Sequence, residues 1–460
     1  MTQPPGATTP ATTPNTTSAV TASIACDARR DGAPEGGGPL RRNRPYLLLM
    51  SGLTAESVGG GVARFAVPLL ALQLTGSATA AGVVAAIGHT GALLAALPAG
   101  VVADRTDRRR LIVVAATTAT VLWATVVVAG ATGSLTAWHL AAVLCGAAVA
   151  AAFLDPAISG AFRSVVPVAQ LPTAYAVAEG RDATASMIAG PVGGLLYAVG
   201  HVVPVVGAVV GHAATALAAL LVCAPLNGDV AAARATRPVA ALREGLRYVW
   251  SVPLFRASLG MFVVVNVALS GMMIAVNLQL AGEGTRPVLI GVVNMVAAGS
   301  MLAGAVVAPA LVARLRLGVV TVLALGLVVV AFAVMAAVQT YAGYVVLVGV
   351  GVFLVPAVNA AMAGYVAAIT PAQMQGRLSS VLGLSGIAAM PLAPLVGGSL
   401  LDAGGIGLVL WTLVALLAVT VVALCLVRPL WRVGTPDTWS DDAVAVPGQA
   451  ADQPPSDART

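Results

Sequence analysis

Charged residues are scarce in this sequence, and lysine is absent. Only 9% of the 460 residues are charged, and all 24 basic residues are arginine. Because soluble globular proteins carry roughly a quarter charged residues, this chain cannot cover a water-facing surface with polar groups. The composition therefore excludes a soluble globular fold. The sequence also lacks a phosphate-binding Gly-Lys-Ser/Thr loop, which excludes ATP as the direct energy source.

Cysteine is equally sparse, and catalytic groupings are missing. The four cysteines, Cys26, Cys145, Cys223 and Cys425, lie far apart in sequence, which fits neither a disulfide framework nor a metal site. No Ser/His/Asp combination has the spacing of a catalytic triad. We therefore expect neither enzyme activity nor a cofactor or bound metal.

Long apolar runs dominate the chain. Apolar residues account for 58% of it, and the mean hydropathy is +0.93. A membrane-spanning helix needs about 20 mostly apolar residues. Such runs cover 45–73, 79–102, 111–131, 137–161, 173–199, 203–224, 257–281, 287–313, 318–338, 341–366, 377–401 and 405–428. The sequence therefore predicts an all-α integral membrane protein with twelve transmembrane helices in two six-helix pseudo-repeats.

Polar segments divide the chain. Residues 1–44 and 429–460 are polar and contain several prolines, so we predict a disordered tail at each end. The segment 225–256 separates a six-helix bundle over 45–224 from a second over 257–428. The first half has Pro167 followed by Gly193-Gly194, and the second half has Pro371 followed by Gly397-Gly398. The number of residues between the proline and the glycine pair is the same in both. This repeat indicates duplicated halves, with a substrate site expected between them.

The placement of arginine predicts the orientation. The loops after spans two, four, six, eight and ten hold nearly all of the loop arginines, and those of the opposite side hold only Arg286. The positive-inside rule therefore places both tails and the 225–256 segment in the cytoplasm, for a chain in the cytoplasmic (inner) membrane. Because the arginines follow the loops, the net charge of +6 indicates topology and not a nucleic-acid partner.

The central segment contains one helical pattern. Leu242, Leu246, Val249 and Trp250 recur at helical spacing, and charged residues occupy the other faces. We predict a short amphipathic helix at the membrane interface. A solvated linker is the alternative.

The loop between spans two and three carries the most specific motif, Gly100-Val-Val-Ala-Asp104-Arg105-Thr-Asp107-Arg108-Arg109. The glycine permits close backbone approach, and Asp104 can accept hydrogen bonds from a neighbouring helix N-terminus. The loop resembles the signature loop of the major facilitator superfamily, in which Gly is common where Asp107 stands here. A purely topogenic loop would explain the arginines but not the Gly-xxx-Asp-Arg spacing.

Other segments resemble the exporter branch of that superfamily, which includes the enterobactin exporter and macrolide efflux pumps. They are 69–77 (LLALQLTGS), 189–196 (AGPVGGLL), 244–256 (EGLRYVWSVPLFR) and 375–379 (QGRLS). The resemblance implies efflux driven by the proton gradient. Gly190, Pro191 and Gly194 are similar to the antiporter motif of exporters, and they also suit ordinary close helix packing.

Ionised residues within spans cost about 3 kcal/mol or more unless they are paired or hydrated, so they are candidate functional residues. All of them lie in the first half: Glu56, Arg64, Asp155, Glu179, Arg181 and Asp182. At 1.5 Å per residue, Glu56 lies about 16 Å into span one and Asp182 about 14 Å into span five. We predict Glu56, Asp182 and Glu179 as proton-coupling residues. The alternative is a set of structural ion pairs.

The remaining candidates form two groups. The resemblance implies that Asp155 pairs with the loop arginines, so the predicted gating motif is Gly100, Asp104, Arg105, Arg108, Arg109 and Asp155. The substrate-cavity candidates are Arg64, Arg181, Asn266, Asn277, Asn294 and Asn359. Glu179 is expected to share a helical face with Asp182, and Arg181 to point elsewhere.

The predicted function is proton-coupled export of an amphipathic compound such as a drug, antibiotic or siderophore. Its expected partners are the small-molecule substrate, protons and membrane lipid, and a monomer is expected to suffice. Two alternatives remain open, namely a facilitator or importer of a small metabolite, and a sensor or scaffold that does not transport. The low aromatic content of 4% argues against a sugar importer.

Overall fold

The computed structural model describes residues 39–224, 226–227, 238–370 and 372–442. Residues 1–38 of the predicted tail at 1–44, residues 443–460 of the predicted tail at 429–460, and residues 225 and 228–237 of the central segment lie outside the described part. The described residues form helices joined by short connections and contain no strand. This agrees with the predicted all-α class.

Six helices form the first half: α1 Arg44–Thr75, α2 Ala78–Arg105, α3 Arg108–Ala131, α4 Ala137–Val165, α5 Leu171–Val199 and α6 Val203–Leu221. Local sequence signals set where several of them begin. The side chains of Ser77, Asp107 and Thr136 accept a hydrogen bond from a first-turn backbone N–H, at 3.2, 2.8 and 3.2 Å. Each of the six predicted spans in this half therefore coincides with one helix.

The central segment contains α7 Pro238–Ser251. The second half contains α8 Pro253–Gly282, α9 Pro287–Arg314, α10 Leu317–Val338, α11 Tyr341–Val352, α12 Val355–Ile369, α13 Ala372–Ala389, α14 Leu392–Leu426 and α15 Arg428–Arg432. Two predicted spans are broken here. Pro356 lies in the first turn of α12 and Pro391 immediately precedes α14. Because proline has no backbone N–H to donate, it interrupts a continuous helix. The eleventh and twelfth predicted spans are separated at Gly404-Gly405, where the backbone leaves the helical conformation between the two parts of α14.

Ten helical segments of the described chain are long and apolar enough to cross a membrane. The segments that meet this criterion do not include α5, which carries Glu179, Arg181 and Asp182. The last segment, Gly386–Leu426, combines two predicted spans. Ten such segments are therefore consistent with the twelve predicted spans.

Successive spans connect alternately at two faces of the molecule. We call the face formed by 76–77, 132–136, 200–202, 283–286, 339–340 and 402–405 the Arg-poor face. The opposite, Arg-rich face includes the signature loop at 105–107, the connections at 166–170 and 315–316, and the central segment.

The two halves are helical bundles, and two helix pairs form most of the contact between them, with smaller contacts of α1 with α8 and of α2 with α13. In the first half α1 packs against α5 and α6, and α2 packs against α4. In the second half α8 packs against α14, and α9 packs against α11 and α12. Between the halves, α5 packs against α9 and α2 packs against α14. The space between the bundles is therefore bordered by these four helices.

The central segment contains the helix α7, which packs against α13. Tyr248 and Val249 are buried among apolar residues of the second half, whereas Leu246 and Trp250 are exposed. The exposed apolar pair suits contact with lipid. The position of α7 at a membrane interface and the division of the chain into these domains stay predictions.

The first residues of the predicted tail at 429–460 pack against the second half, although the sequence predicts disorder for the whole tail. α15 is followed by a 3-10 helix at Pro436–Asp442, and Leu430, Val433 and Trp439 are buried. Trp439 packs edge-on against Tyr365, with ring centroids 5.7 Å apart. These few apolar residues fix the segment to the second half, although its overall composition is polar.

Candidate functional site

The signature loop binds the first half to the beginning of the central segment. The Arg108 guanidinium donates to the carbonyls of Gly160 and Leu226, both at 3.2 Å, and Arg109 donates to the carbonyl of Ala224 at 2.9 Å. A Cβ at Gly160 would lie 2.6 Å from the guanidinium carbon of Arg108, so a larger residue here would displace the guanidinium from this position. The loop arginines thus bind backbone carbonyls of their own half and of the adjoining central segment.

Asp107, the departure from the usual signature loop, forms a reciprocal contact with Asn227. The Asn227 amide donates to the Asp107 carboxylate at 2.8 Å, and the backbone N–H of Arg108 donates to the Asn227 side chain at 2.9 Å. Burial raises the pKa of Asp107, but hydrogen bonds from Arg110 and Asn227 and the charges of nearby arginines outweigh burial and lower the pKa below 3.8. Asp107 is therefore an ionised anchor between the loop and the start of the central segment.

Other members of the predicted gating motif are placed differently from expectation. In the described part of the structure, no atom lies within 4 Å of a Cβ added at Gly100, so close backbone packing at this glycine is absent here. Arg105 is exposed. The side chain of Asp104 lies outside the described part of the structure.

Asp155 does not pair with the loop arginines among the described contacts. Arg108 and Arg109 are committed to backbone carbonyls, and the charges that act on Asp155 are those of Arg64 and Asp182. The expected pairing was wrong for this conformation because Asp155 belongs to a different charged cluster, deeper in the bundle.

That cluster brings together five charged residues of α1, α4 and α5: Glu56, Arg64, Asp155, Arg181 and Asp182. Arg64 is central to it, since its charge acts on both Glu56 and Asp155. A Cβ built at Gly60 would lie 3.2 Å from Glu56 Oε1 and 3.4 Å from Arg64 Nη1. Gly60 therefore leaves the space in which the two charged groups approach each other.

Asp182 is the most fully paired carboxylate of the cluster. Arg181 Nη2 lies 2.8 Å from Asp182 Oδ2 and 2.9 Å from Oδ1, and its Nε donates to Oδ1 at 3.1 Å. Ser57 of α1 also donates to Oδ1, at 2.6 Å. The expectation that Arg181 points away from Asp182 was wrong, because the long arginine side chain bends back to its neighbour in sequence.

Glu56 has no comparable partner. Among the described residues its carboxylate forms neither an ion pair within 4 Å nor a side-chain hydrogen bond. Arg64 and Asp155 are solvent-exposed although they lie in the interior stretches of α1 and α4. Since charged groups do not face hydrocarbon without a large cost, we infer that these side chains face the space between the bundles and not lipid. Glu56, which is half-buried, thus lies in a charged cluster without a fixed counter-ion among the described residues.

Glu179 is exposed on α5, one turn from Asp182, and forms no hydrogen bond or ion pair with the residues that the structure describes. It therefore belongs to the accessible surface of α5 and not to the paired part of the cluster.

The predicted asparagines of the second half fall into three situations. Asn277 and Asn294 bond to each other, with amide–oxygen distances of 3.4 and 3.0 Å, so α8 and α9 are joined there. Asn266 donates to the carbonyl of Phe262 in its own helix at 2.8 Å. Asn359 is exposed. Asn277 and Asn294 therefore contribute to helix packing beside the α5–α9 contact.

Small residues hold the halves together near the Arg-poor face. A Cβ at Gly190 would lie 2.5 Å from the carbonyl oxygen of Gly291, and one at Gly194 would lie 2.7 Å from Cα of Val288. At the other helix pair, a Cβ at Gly398 would lie 3.4 Å from Cα of Gly82. The predicted packing role of Gly190 and Gly194 thus belongs to a contact between halves. The repeated Gly-Gly pair in the sequence indicated where close helix contacts lie, but it did not indicate which helices they contact.

Comparisons with known proteins agree on one family. The sequence model of the Major Facilitator Superfamily matches residues 49–362. The chain is 32% identical over 384 residues to the multidrug efflux pump Tap of Mycobacterium tuberculosis, covering 79% of this chain and 88% of that protein. It is 29% identical over 379 residues to Tap of Mycolicibacterium fortuitum, covering 79% and 90%.

Solved structures show the same fold at low sequence identity. The nucleoside transporter NupG aligns with a TM-score of 0.63 and 13% identity over 85% of this chain and 100% of that chain. A bacterial homologue of the iron transporter ferroportin in an inward-facing state aligns with a TM-score of 0.60 and 17% identity over 84% and 99%.

Proposed function

The chain belongs to the major facilitator superfamily, and we propose that it is a proton-coupled exporter of amphipathic small molecules that works by alternating access. Its Tap relatives are named multidrug efflux pumps, which supports the direction of transport and the breadth of substrate. The observation that carries the proposal is the charged cluster around Glu56, because it supplies a titratable group beside the cavity.

The contacts between halves support an alternating-access cycle. The close contacts at Gly190, Gly194 and Gly398 all lie toward the Arg-poor face, whereas the side chains of Arg64 and Asp155 are exposed in the interior stretches of α1 and α4. We take the Arg-poor face as extracellular from the arginine distribution. The conformation is then closed to the outside, with the cavity open to the cytoplasm, as loading of a drug for export requires.

Glu56 is the proposed proton carrier, in preference to Asp182. A carboxylate without a fixed counter-ion can bind and release a proton without first breaking a salt bridge. Asp182 would have to release Arg181 and Ser57 before it could do so. Asp182 therefore positions α1 against α5, and Arg64 is the cation that attracts Glu56 after deprotonation.

Uptake into inside-out membrane vesicles tests this proposal. The probes are ethidium, tetracycline and erythromycin, amphipathic compounds that differ in charge, and an imposed proton gradient with an acidic interior supplies the energy. We expect the wild type to accumulate at least one probe and a protonophore to abolish accumulation. Glu56→Gln should lose accumulation against a gradient but retain exchange of labelled for unlabelled probe.

Glu283→Gln is the matched control. Glu283 is exposed, and its carboxylate accepts a hydrogen bond from the side chain of Gln279 in the last turn of α8. Its neutralisation should therefore leave accumulation unchanged. Accumulation that survives the protonophore would indicate another energy source, whereas equilibration of a probe without accumulation would indicate a facilitator. No movement of any probe would favour a different substrate class or the sensor alternative. Full gradient-driven uptake by Glu56→Gln would exclude Glu56 as the carrier.

A further inference from the structure

The hydrogen bonds between the two halves converge on one residue, Asp402, which the sequence pattern does not single out. The Ser77 hydroxyl donates to Asp402 Oδ2 at 2.6 Å, the backbone N–H of Thr79 donates to Oδ2 at 2.8 Å, and that of Ala78 donates to Oδ1 at 3.1 Å. A further hydrogen bond between the halves lies beside it, donated by the Thr79 hydroxyl to the Gly398 carbonyl at 3.5 Å. Polar contact between the halves is therefore concentrated at the Arg-poor end of α2.

The donors at this contact are those that a helix N-terminus leaves unpaired. The first backbone N–H groups of a helix have no partner within the helix and carry a partial positive charge. Asp402 accepts from two of them and supplies the negative charge that this end favours. Ser77 already accepts from Ala80 at 3.2 Å, so it links the helix cap to Asp402. The carboxylate of the second half thus completes the cap of a helix in the first.

Local backbone geometry brings Asp402 to this position. Gly398, one turn earlier in α14, packs against Ala78 and Gly82, which leaves no room for larger side chains between the helices. Just after Asp402 the helix is interrupted at Gly404 and Gly405, and Gly405 has a φ of +72°, which favours glycine. Asp402 consequently stands at the last turn before the break, directly over the N-terminus of α2.

The pseudo-symmetric contact lacks this arrangement. Gly194 of α5 packs against the start of α9 as Gly398 packs against the start of α2. The residue one turn after Gly194 is Ala198, and α9 begins with Pro287, which has no backbone N–H. The polar contact is therefore present at one of the two interfaces, and it can be removed without altering the other directly.

We propose that Asp402 is a conformational latch that favours the state closed at the Arg-poor face. Opening that face requires the halves to separate there, and Asp402 must then release Ser77, Ala78 and Thr79 to water. The contact exists in one of the two end states, so it stabilises that state relative to the other. The latch rests on the proposed alternating-access function and adds a residue that sets the balance between its states.

Hydrogen–deuterium exchange on the purified full-length protein in nanodiscs tests the latch. A purely local cap would change exchange at the start of α2 alone. A latch shifts the balance between the two states, so it also changes exchange at the α5–α9 contact. In the described structure the residues of that contact form no hydrogen bond with Asp402. For Asp402→Ala we expect exchange at the backbone amides of Leu289–Val293 to rise about fivefold, the shift expected for loss of a typical helix cap.

Asp402→Asn keeps one acceptor oxygen and removes the charge, so its increase should be smaller. It also provides a folded variant if alanine impairs folding. Glu283→Gln, an acid-to-amide change on the same face, should leave both contacts unchanged. A change confined to the first turn of α2 in both Asp402 variants would overturn the latch. Transport by the wild type is measured separately in the vesicle assay, so failure of the latch and failure of the exporter proposal are distinguishable.

Discussion

At the scale of single residues, the two acids proposed for the charged cluster differ in their partners. Asp182 accepts hydrogen bonds from Arg181 and Ser57, and it joins α5 to α1. Glu56 is close to Arg64 across the space left by Gly60, but it is not within salt-bridge distance of a described cation. Neighbouring carboxylates in one cluster can therefore have separate roles, one structural and one in coupling.

Asp182→Asn tests the structural role. The substitution keeps the shape of the side chain but leaves Arg181 without its ion pair, in a site where the arginine side chain is only 15% exposed. Because hydrogen bonds to charged groups contribute about 1.5–3 kcal/mol, we expect a clear drop in Tm for the detergent-purified protein. Ser57→Ala removes one bond and should lower Tm less. An unchanged Tm in Asp182→Asn would show that the pair contributes little to stability.

Sequence patterns located the charged residues but not their pairing. Hydropathy made Glu56, Asp155 and Asp182 conspicuous, because each interrupts an apolar run. The pairing depends on side-chain reach and on which helices touch. Arg181 bends to the adjacent Asp182, and Asn277 bonds to Asn294 of the next helix. Helical spacing alone predicts neither of these contacts.

At the scale of helices, glycine pairs set how closely the halves approach. Gly190 and Gly194 let α5 lie against α9, and Gly398 lets α14 lie against α2. The sequence predicted the spans well because each needs only a long apolar run. It did not predict the breaks in the tenth and eleventh spans, since many prolines here, such as Pro68 and Pro98, lie inside unbroken helices.

Gly194→Ala tests the α5–α9 contact. The added methyl group would lie 2.6 Å from the carbonyl carbon of Pro287 and 2.7 Å from Cα of Val288, and backbone atoms cannot move aside easily. We expect an overpacking cost of about 1–3 kcal/mol in the closed state and faster hydrogen exchange at the start of α9. Gly180→Ala is the control in the same helix, because no described atom lies within 4 Å of its Cβ. Equal exchange in the two variants would contradict a tight contact at Gly194.

At the scale of the whole molecule, the two halves share a fold but differ in charge. The first half contains Glu56, Arg64, Asp155, Arg181 and Asp182, whereas the second offers asparagines at its inner positions. Both interfaces between halves are tight near the Arg-poor face. A duplicated scaffold of this kind can place proton coupling in one half and leave the facing surface of the other to the substrate, with both meeting at one cavity.

The direction of any coupled transport depends on which face is cytoplasmic, and cysteine labelling tests it. The Arg-rich face carries the signature loop and the native Cys223, which is exposed, while the Arg-poor face includes the exposed Ser134. Arginine-rich loops are retained in the cytoplasm. In a background with the other cysteines replaced by serine, a membrane-impermeant maleimide should therefore label Ser134→Cys in intact cells. It should label Cys223 only after permeabilisation. Labelling of Cys223 but not of position 134 in intact cells would reverse the orientation, and the inferred closed face would then be cytoplasmic.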